Sequence, residues 1–344
     1  MKILEVFMAV LNIKDGGGIP STISIELLTE YVLVILSIIY PFQKVTATDG
    51  QNIIKKVFSN LKDPMDGKEV LYQLNSFFPS LNKILGNKVR TYIFNKQAYE
   101  KEASIKTLAS STGLKDNANL LLLPLLIPQI PTTAQLQRLY VASTDGFSFN
   151  RLANSIKYYP DNLIILLHHT DPTTKEELLI GIFNEGEVKD QLKFGNGNVN
   201  NAIFSLSPKL SIARAYNGKD NKYCYLNTRH IDNSDYKRGL AFGGTFKKAR
   251  LWLDSDFPYN SYLESRDDTY EIKQFLPSPE LNITEAEIWG LGTGESLVRQ
   301  QEMVVMDAKL AEQSRKVDKK AFLEGDFNKE YLLEGTFAHN KDKH

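Results

Sequence analysis

The chain has 344 residues, room for about two domains, and its 41 acidic residues balance 41 basic ones. A zero net charge excludes a global field that draws in nucleic acid or anionic lipid, so a charged partner has to meet a local patch. The single cysteine, Cys224, excludes an internal disulfide and suits a reducing compartment.

In chain order, residues 1 to about 106 read as helical. The start, MKILEVFMAV, lacks the small-residue cleavage pattern of a signal peptide, and Lys2 stands where myristoylation needs Gly. YVLVILSIIYPF (31–42) is about 12 residues long, short of the roughly 20 that span a bilayer. DGGGIPS (15–21) and TATDG (46–50) read as turn-rich breaks between helices. Across 67–96 apolar residues recur at helical spacing, from Val70, Leu71 and Leu74 to Val89, Tyr92 and Ile93, with Pro79 ending one helix and opening the next. The Asp-Gly pairs at 49–50 and 66–67 lack the alternating acidic ligands and closing Glu of a calcium loop.

The polar, small-residue run KEASIKTLASSTGLKDNAN (101–119) reads as a linker, followed by the apolar LLLLPLLIPQI (120–130), which Pro124 and Pro128 interrupt. From 135 the character changes to short β-rich runs separated by Gly, Asn, Asp and Pro, with one helix over 147–159. Strands do not alternate with helices, which excludes a doubly wound nucleotide fold. WGLGTGES (289–296) has the strand–glycine–helix layout of a phosphate cradle, but Glu295 stands where the dinucleotide fingerprint needs its third Gly. A phosphate loop needs a Lys at that place as well, so the glycines read as a joint, and Glu295 suits the first turn of the helix beyond it.

That helix runs from Gly294 to about Glu324, a length of about 45 Å. Its apolar stripe (Met303, Met306, Leu310, Val317, Ala321) is narrower than a helix packed on its own domain needs, which points to a partner or a solvated arm. QSRKVDKK (313–320), whose basic residues alternate with an Asp, reads by default as a solvated helix face, with an acidic protein groove as the alternative. A short helix is expected over 328–335, before a disordered end.

Clusters that could carry chemistry are few. His168 and His169 are adjacent on a strand and point to opposite faces, so they do not share a metal; with Asp171 they read as a strand end entering a loop. Asp145 reads as a turn residue and Ser148 as a helix cap, and no His is positioned to activate Ser143 or Ser148. Asp254, Asp256, Asp267 and Asp268 read as loop carboxylates, and Cys224, in an alternating YCYL run, as an inert strand residue. No catalytic residue, metal or cofactor is assigned.

Four segments in order, LYVASTDGFSFNRL (139–152), NAIFSLSPKL (201–210), LAFGGTFKKARLWLDSDF (240–257) and AEIWGLG (286–292), resemble the TLDc domain. The residues that carry the match are Asp145, Gly146, Phe147 and Ser148, then Gly243, Gly244, Trp252 and Asp254, then Glu287, Trp289 and Gly290. The helical run before the domain resembles the branch named for restriction of telomere capping and its lysosomal relatives. The resemblance implies an α+β fold: a helical N-terminal region, a two-sheet antiparallel β-sandwich with flanking helices, and a long C-terminal helix. The expected domains are 1–106 (helical), 107–134 (linker and connecting helix), 135–293 (TLDc) and 294–344 (arm and tail). It also implies a non-enzymatic protein that binds peripheral-sector and central-stalk subunits of the vacuolar-type proton-pumping ATPase. Arg299, Met303, Met306, Leu310, Arg315 and Val317 of the arm are the expected contacts. The expected location is the cytosolic face of vacuolar or lysosomal membranes. The alternatives are a structural part of another assembly, such as ciliary microtubules, and a redox-active oxidation-resistance protein.

Overall fold

The computed structural model describes residues 20–58, 62–95, 105–195, 198–216, 222–229, 236–245 and 248–324. The expected turn at 15–19, short helix at 328–335 and terminal tail lie outside them. The chain divides into a unit ending at Thr293 and a second beginning at Gly294.

Among the described residues, the first unit opens on a two-residue strand, β1 (Thr22–Ile23), and helix α1 (Ile25–Ile39), capped by the Ser24 hydroxyl on Leu27 N. Helix α2 (Ala47–Val57) starts where a break was expected. Thr46 and Asp49 form a capping box, each side chain accepting from the other's backbone N–H, so the polar TATDG run is a helix start. Asp66 does the same for α3 (Gly67–Phe77) by accepting from Lys68 N and Glu69 N, while its backbone, with Met65, makes β2 and pairs with β1. Both Asp-Gly pairs are therefore helix-start chemistry. Helix α4 (Leu81–Phe94) follows Pro79.

The expected linker contributes β3 (Lys106–Thr107), and Asp116 then caps α5 (Asn117–Leu126). That helix holds Pro124 inside it, and Leu121, Leu122, Leu123 and Leu126 are completely buried. Each such leucine contributes about 1.5–3 kcal/mol, so this apolar run is a central core helix. Lys56 of α2 reaches it, 2.7 Å from Asp116, and also donates to Asn119.

Two sheets follow. The larger is ordered β3-β4-β13-β5-β6-β7-β8, from β4 (Gln135–Val141), β13 (Ile283–Gly290), β5 (Leu163–Thr170), β6 (Glu177–Asn184), β7 (Ala202–Ser207) and β8 (Ser211–Arg214). The smaller is ordered β12-β11-β10-β9, from β12 (Tyr262–Leu263), β11 (Lys248–Asp254), β10 (Gly239–Thr245) and β9 (Cys224–Asn227). All pairings are antiparallel except β3 with β4.

Period-2 alternation sorts the large sheet's side chains. Ile164, Leu166, Phe183, Phe204 and Trp289 join one core cluster with the N-terminal helices. The residues between them, Ile165, Leu167, Ile182 and Ile203, are completely buried, as are Leu240, Phe242, Leu251 and Leu253 of the small sheet. They are the inward faces of the sandwich. Between β4 and β5 lie the one-turn helix α6 (Ala142–Asp145) and α7 (Phe149–Ile156), which is shorter than the helix expected over 147–159. Lys157 is extended and Tyr158 has φ 67°, a left-handed conformation that ends the helix. The second unit contains α8 (Gly294–Glu324), with Glu295 in its first turn.

Candidate functional site

The motif residues converge on buried anchor points. On β13, Glu287 is completely buried on the helix-facing side of the large sheet. Its Oε1 accepts from Thr112 N (2.6 Å), Thr112 Oγ1 (2.5 Å) and Gly113 N (3.0 Å), and its Oε2 from Ser111 Oγ (2.5 Å) and Trp289 Nε1 (2.9 Å). Burial works to raise this carboxyl, but hydrogen bonds from Ser111, Thr112, Gly113 and Trp289 outweigh it and hold the group below its usual range. The His168 Nε2 lies 3.9 Å from the same carboxylate and 3.4 Å from Thr112 Oγ1. One imidazole nitrogen faces both groups, and the carboxylate binds the hydroxyl directly instead of orienting the ring. This is the geometry of a clamp, not of a nucleophile relay.

Gly290, at the end of β13, lies against Tyr159, and a Cβ there would overlap the Tyr159 ring and hydroxyl. The hydroxyl in turn accepts from Gly292 N at 2.8 Å. Gly290 is therefore a close-packing glycine and not part of a loose joint; Gly294 alone of the two has open space around it.

Asp145 is helical, not in a turn. Its carboxylate accepts from Val141 N and from Arg138 Nη2, all at 2.8 Å, and Gly146 takes φ 89° to release the chain. Ser148 occupies the cap position of α7 but makes no side-chain cap bond. Phe147 is 41 % exposed and stacks on Phe257, with ring centroids 6.0 Å apart.

In the small sheet, Gly243 and Gly244 both have positive φ (71° and 76°), and a Cβ on Gly243 would collide with the Asp267 carboxylate. Asp267 faces the fully buried Arg250, at 3.9 Å, whose Nη2 donates to Lys273 O. Asp267 is thus a buried partner of Arg250, not a solvated loop carboxylate. Burial raises its carboxyl above the usual range against the lowering pull of Thr269, Tyr270 and Arg250. Trp252 Nε1 donates to Asp254 Oδ2 at 2.9 Å, and its ring stacks on Tyr225.

His168 and His169 do point to opposite faces of β5, and no group of three or more His, Cys, Asp or Glu fit to hold a metal occurs among the described residues. Cys224 is completely buried, and burial pushes its thiol well above the usual range.

Comparison with protein-family models matches the TLDc domain to residues 108–292, more than half of the chain. The chain belongs to the TLDc domain family. The match starts at 108 and so takes in Ser111, Thr112 and Gly113, the ligands of Glu287 within the domain. Comparison with the curated proteins finds no match. The sequence pattern does not single out these three residues or Tyr159. The one signal available was a Glu at an inward position of the strand run ITEAEIWG, which demands donors from elsewhere.

On α8, residues 301–310 are all exposed. Arg299, Met303, Met306 and Leu310 lie on its described part, while the side chains of Arg315 and Val317 lie outside the described residues. The consecutive Met303, Val304, Val305 and Met306 are 38 to 55 % exposed and, at 100° per residue, span most of the helix circumference. The apolar surface is a band, broader than the expected heptad stripe.

Proposed function

We propose that this TLDc protein is a non-enzymatic regulatory or accessory subunit of the vacuolar-type proton-pumping ATPase. The TLDc domain and α8 contact the peripheral sector and central stalk on the cytosolic face of an acidic organelle. The observation that carries this reading is the apolar band of α8, with Val298, Met303, Val304, Val305, Met306 and Leu310 all exposed. A helix of about 45 Å that leaves this surface uncovered gains by burying it on another protein. Family membership suits a protein partner, and the resemblance of the chain to the pump-binding TLDc branch supports the choice of the ATPase. The motif residues serve as internal anchors, which suits a binding module whose work is done on its outside. No helix among the described residues is long and apolar enough to cross a membrane.

Affinity purification of the tagged chain from organelle membranes, with identification of the recovered subunits, tests this. Pump subunits are expected as the dominant recovered set. Recovery of axonemal proteins in their place would support the structural alternative and contradict the reading. The redox alternative has no support at Cys224, which is buried as a thiol.

A further inference from the structure

The two main sheets end in four outer strands, β3 and β8 in the larger and β12 and β9 in the smaller. Backbone from elsewhere in the chain covers three of them. Beside β8, Tyr216 N donates to Thr269 O at 2.8 Å and Glu271 N to Arg214 O at 2.9 Å. Beside β9, Gln191 N donates to Leu226 O at 2.9 Å and Gly195 N to Cys224 O at 3.2 Å. Beside β12, Leu263 N donates to Pro279 O at 2.7 Å and Leu281 N to Ser261 O at 3.0 Å. Cover of this kind keeps a sheet edge from recruiting a foreign strand. β3 differs: among the described residues it pairs with β4 alone.

The inner side of β3 is satisfied. Lys106 N donates to Ala134 O at 3.0 Å and Leu108 N to Leu136 O at 2.8 Å, so the N–H and C=O of Thr107 between them point away from β4. Beside Thr107 lies a groove of about 520 Å³, between β3 and the loop that joins α1 to α2, with Phe42, Gln43, Lys44 and Leu120 in its wall. Phe42 and Leu108, 54 % and 48 % exposed, flank the strand with apolar surface. The groove lining contains two exposed cations, Lys44 and Lys106, and neither Asp nor Glu. In a chain whose charges balance overall, this edge is locally positive. Gln43 donates from Nε2 to Asn117 Oδ1 at 3.0 Å, but its buried Oε1 meets no donor among the described residues. A buried acceptor without a donor costs free energy, so the loop gains when a ligand brings one.

The charges decide between occupants. A second copy laid along the same edge would crowd the Lys44 and Lys106 of both chains together, and like charges across a strand pair are destabilising. An acidic strand meets the opposite sign. We propose that the β3 edge is a docking site for an extended acidic–aliphatic segment of a partner protein, which adds a strand to the large sheet. The Thr107 N–H and C=O pair with the segment's backbone, its aliphatic side chains rest on Phe42 and Leu108, and its carboxylates lie against Lys44 and Lys106. The site lies in the first unit and rests neither on the arm nor on the identity of the pump.

The probe is acetyl-Val-Glu-Val-Glu-Val-amide, titrated into the full chain and followed by the amide resonances of Lys106, Thr107 and Leu108. Saturable shifts are expected with a dissociation constant of about 1 mM or tighter. Acetyl-Val-Lys-Val-Lys-Val-amide, and the acidic peptide N-methylated throughout, should each bind at least fivefold more weakly. T107P removes the outward N–H and leaves both β4 bonds in place, because proline is tolerated where an edge N–H faces solvent; it should weaken binding at least fivefold. K44E/K106E, at two exposed side chains, should reverse the preference, so that the lysine peptide binds the more tightly. No saturable shift, equal binding of the N-methylated peptide, unchanged affinity in T107P, or an unreversed preference in K44E/K106E overturns the proposal. A dimer of the free chain that T107P disperses overturns the partner assignment in favour of a second copy. None of these outcomes depends on pump recovery, so failure here and failure of the pump reading are distinguishable.

Discussion

Glu287 illustrates how one residue joins distant parts of this chain. Five donors meet a carboxylate that has no exposure, and four of them come from residues about 175 positions earlier. Glu287→Gln puts an amide N–H₂ among N–H and O–H donors and should cost about 3 kcal/mol in chemical denaturation. The pH dependence has a definite sign. The folded carboxyl is held below its unfolded value of about 4.3, so its contribution is present above that pH and is lost as pH falls through the folded value. Wild type should therefore lose stability on acidification over this window more steeply than Glu287→Gln, whose amide does not titrate. Parallel slopes would mean the clamp is not ionised. Gly290→Ala, forced against Tyr159, should destabilise by about 1–3 kcal/mol, whereas Gly294→Ala, with open space, should be near neutral. Equal effects of the two would contradict the close-packing role. Native Cys224 should resist iodoacetamide at pH 8 and react once the chain is unfolded in urea.

At the scale of elements, strand runs and the long helix were legible because their patterns are local. The short β-rich runs that turn residues bound, NLIILLHH and AEIWG among them, mark β5 and β13, and the unbroken polar run after Gly294 marks α8. Helix starts were harder to read. TATDG has the composition of a turn, and only the reciprocal bonds of Thr46 and Asp49 make it a cap. The segment 105–116 was not legible at all as part of the sandwich, since its polar residues satisfy a carboxylate far along the chain. On α8 the exposed band permits a direct test. Replacing Met303, Met306 and Leu310 together by Glu should leave the melting temperature within about 1 °C, because exposed positions contribute little to stability. The same change should lower pump recovery at least tenfold. A large drop in melting temperature would show that the band packs on the chain's own fold.

For the molecule as a whole, the α+β architecture and TLDc membership followed from motifs spread over four segments, while the anchor networks behind those motifs needed the three-dimensional pairing of β13 with β4 and β5. Buried glycines, a buried Arg250–Asp267 pair and the Glu287 clamp hold the interior fixed. That leaves the surface of the domain and α8 as the places where the proposed partner would be met. The central claim, a non-enzymatic module that binds the proton pump through its C-terminal arm, is tested most directly by equilibrium binding of the purified full chain to the purified peripheral sector of the ATPase. The account predicts saturable binding at micromolar concentration or tighter, weakened at least tenfold by the triple Glu substitution on α8. No binding, or equal affinity of the substituted chain, would contradict it.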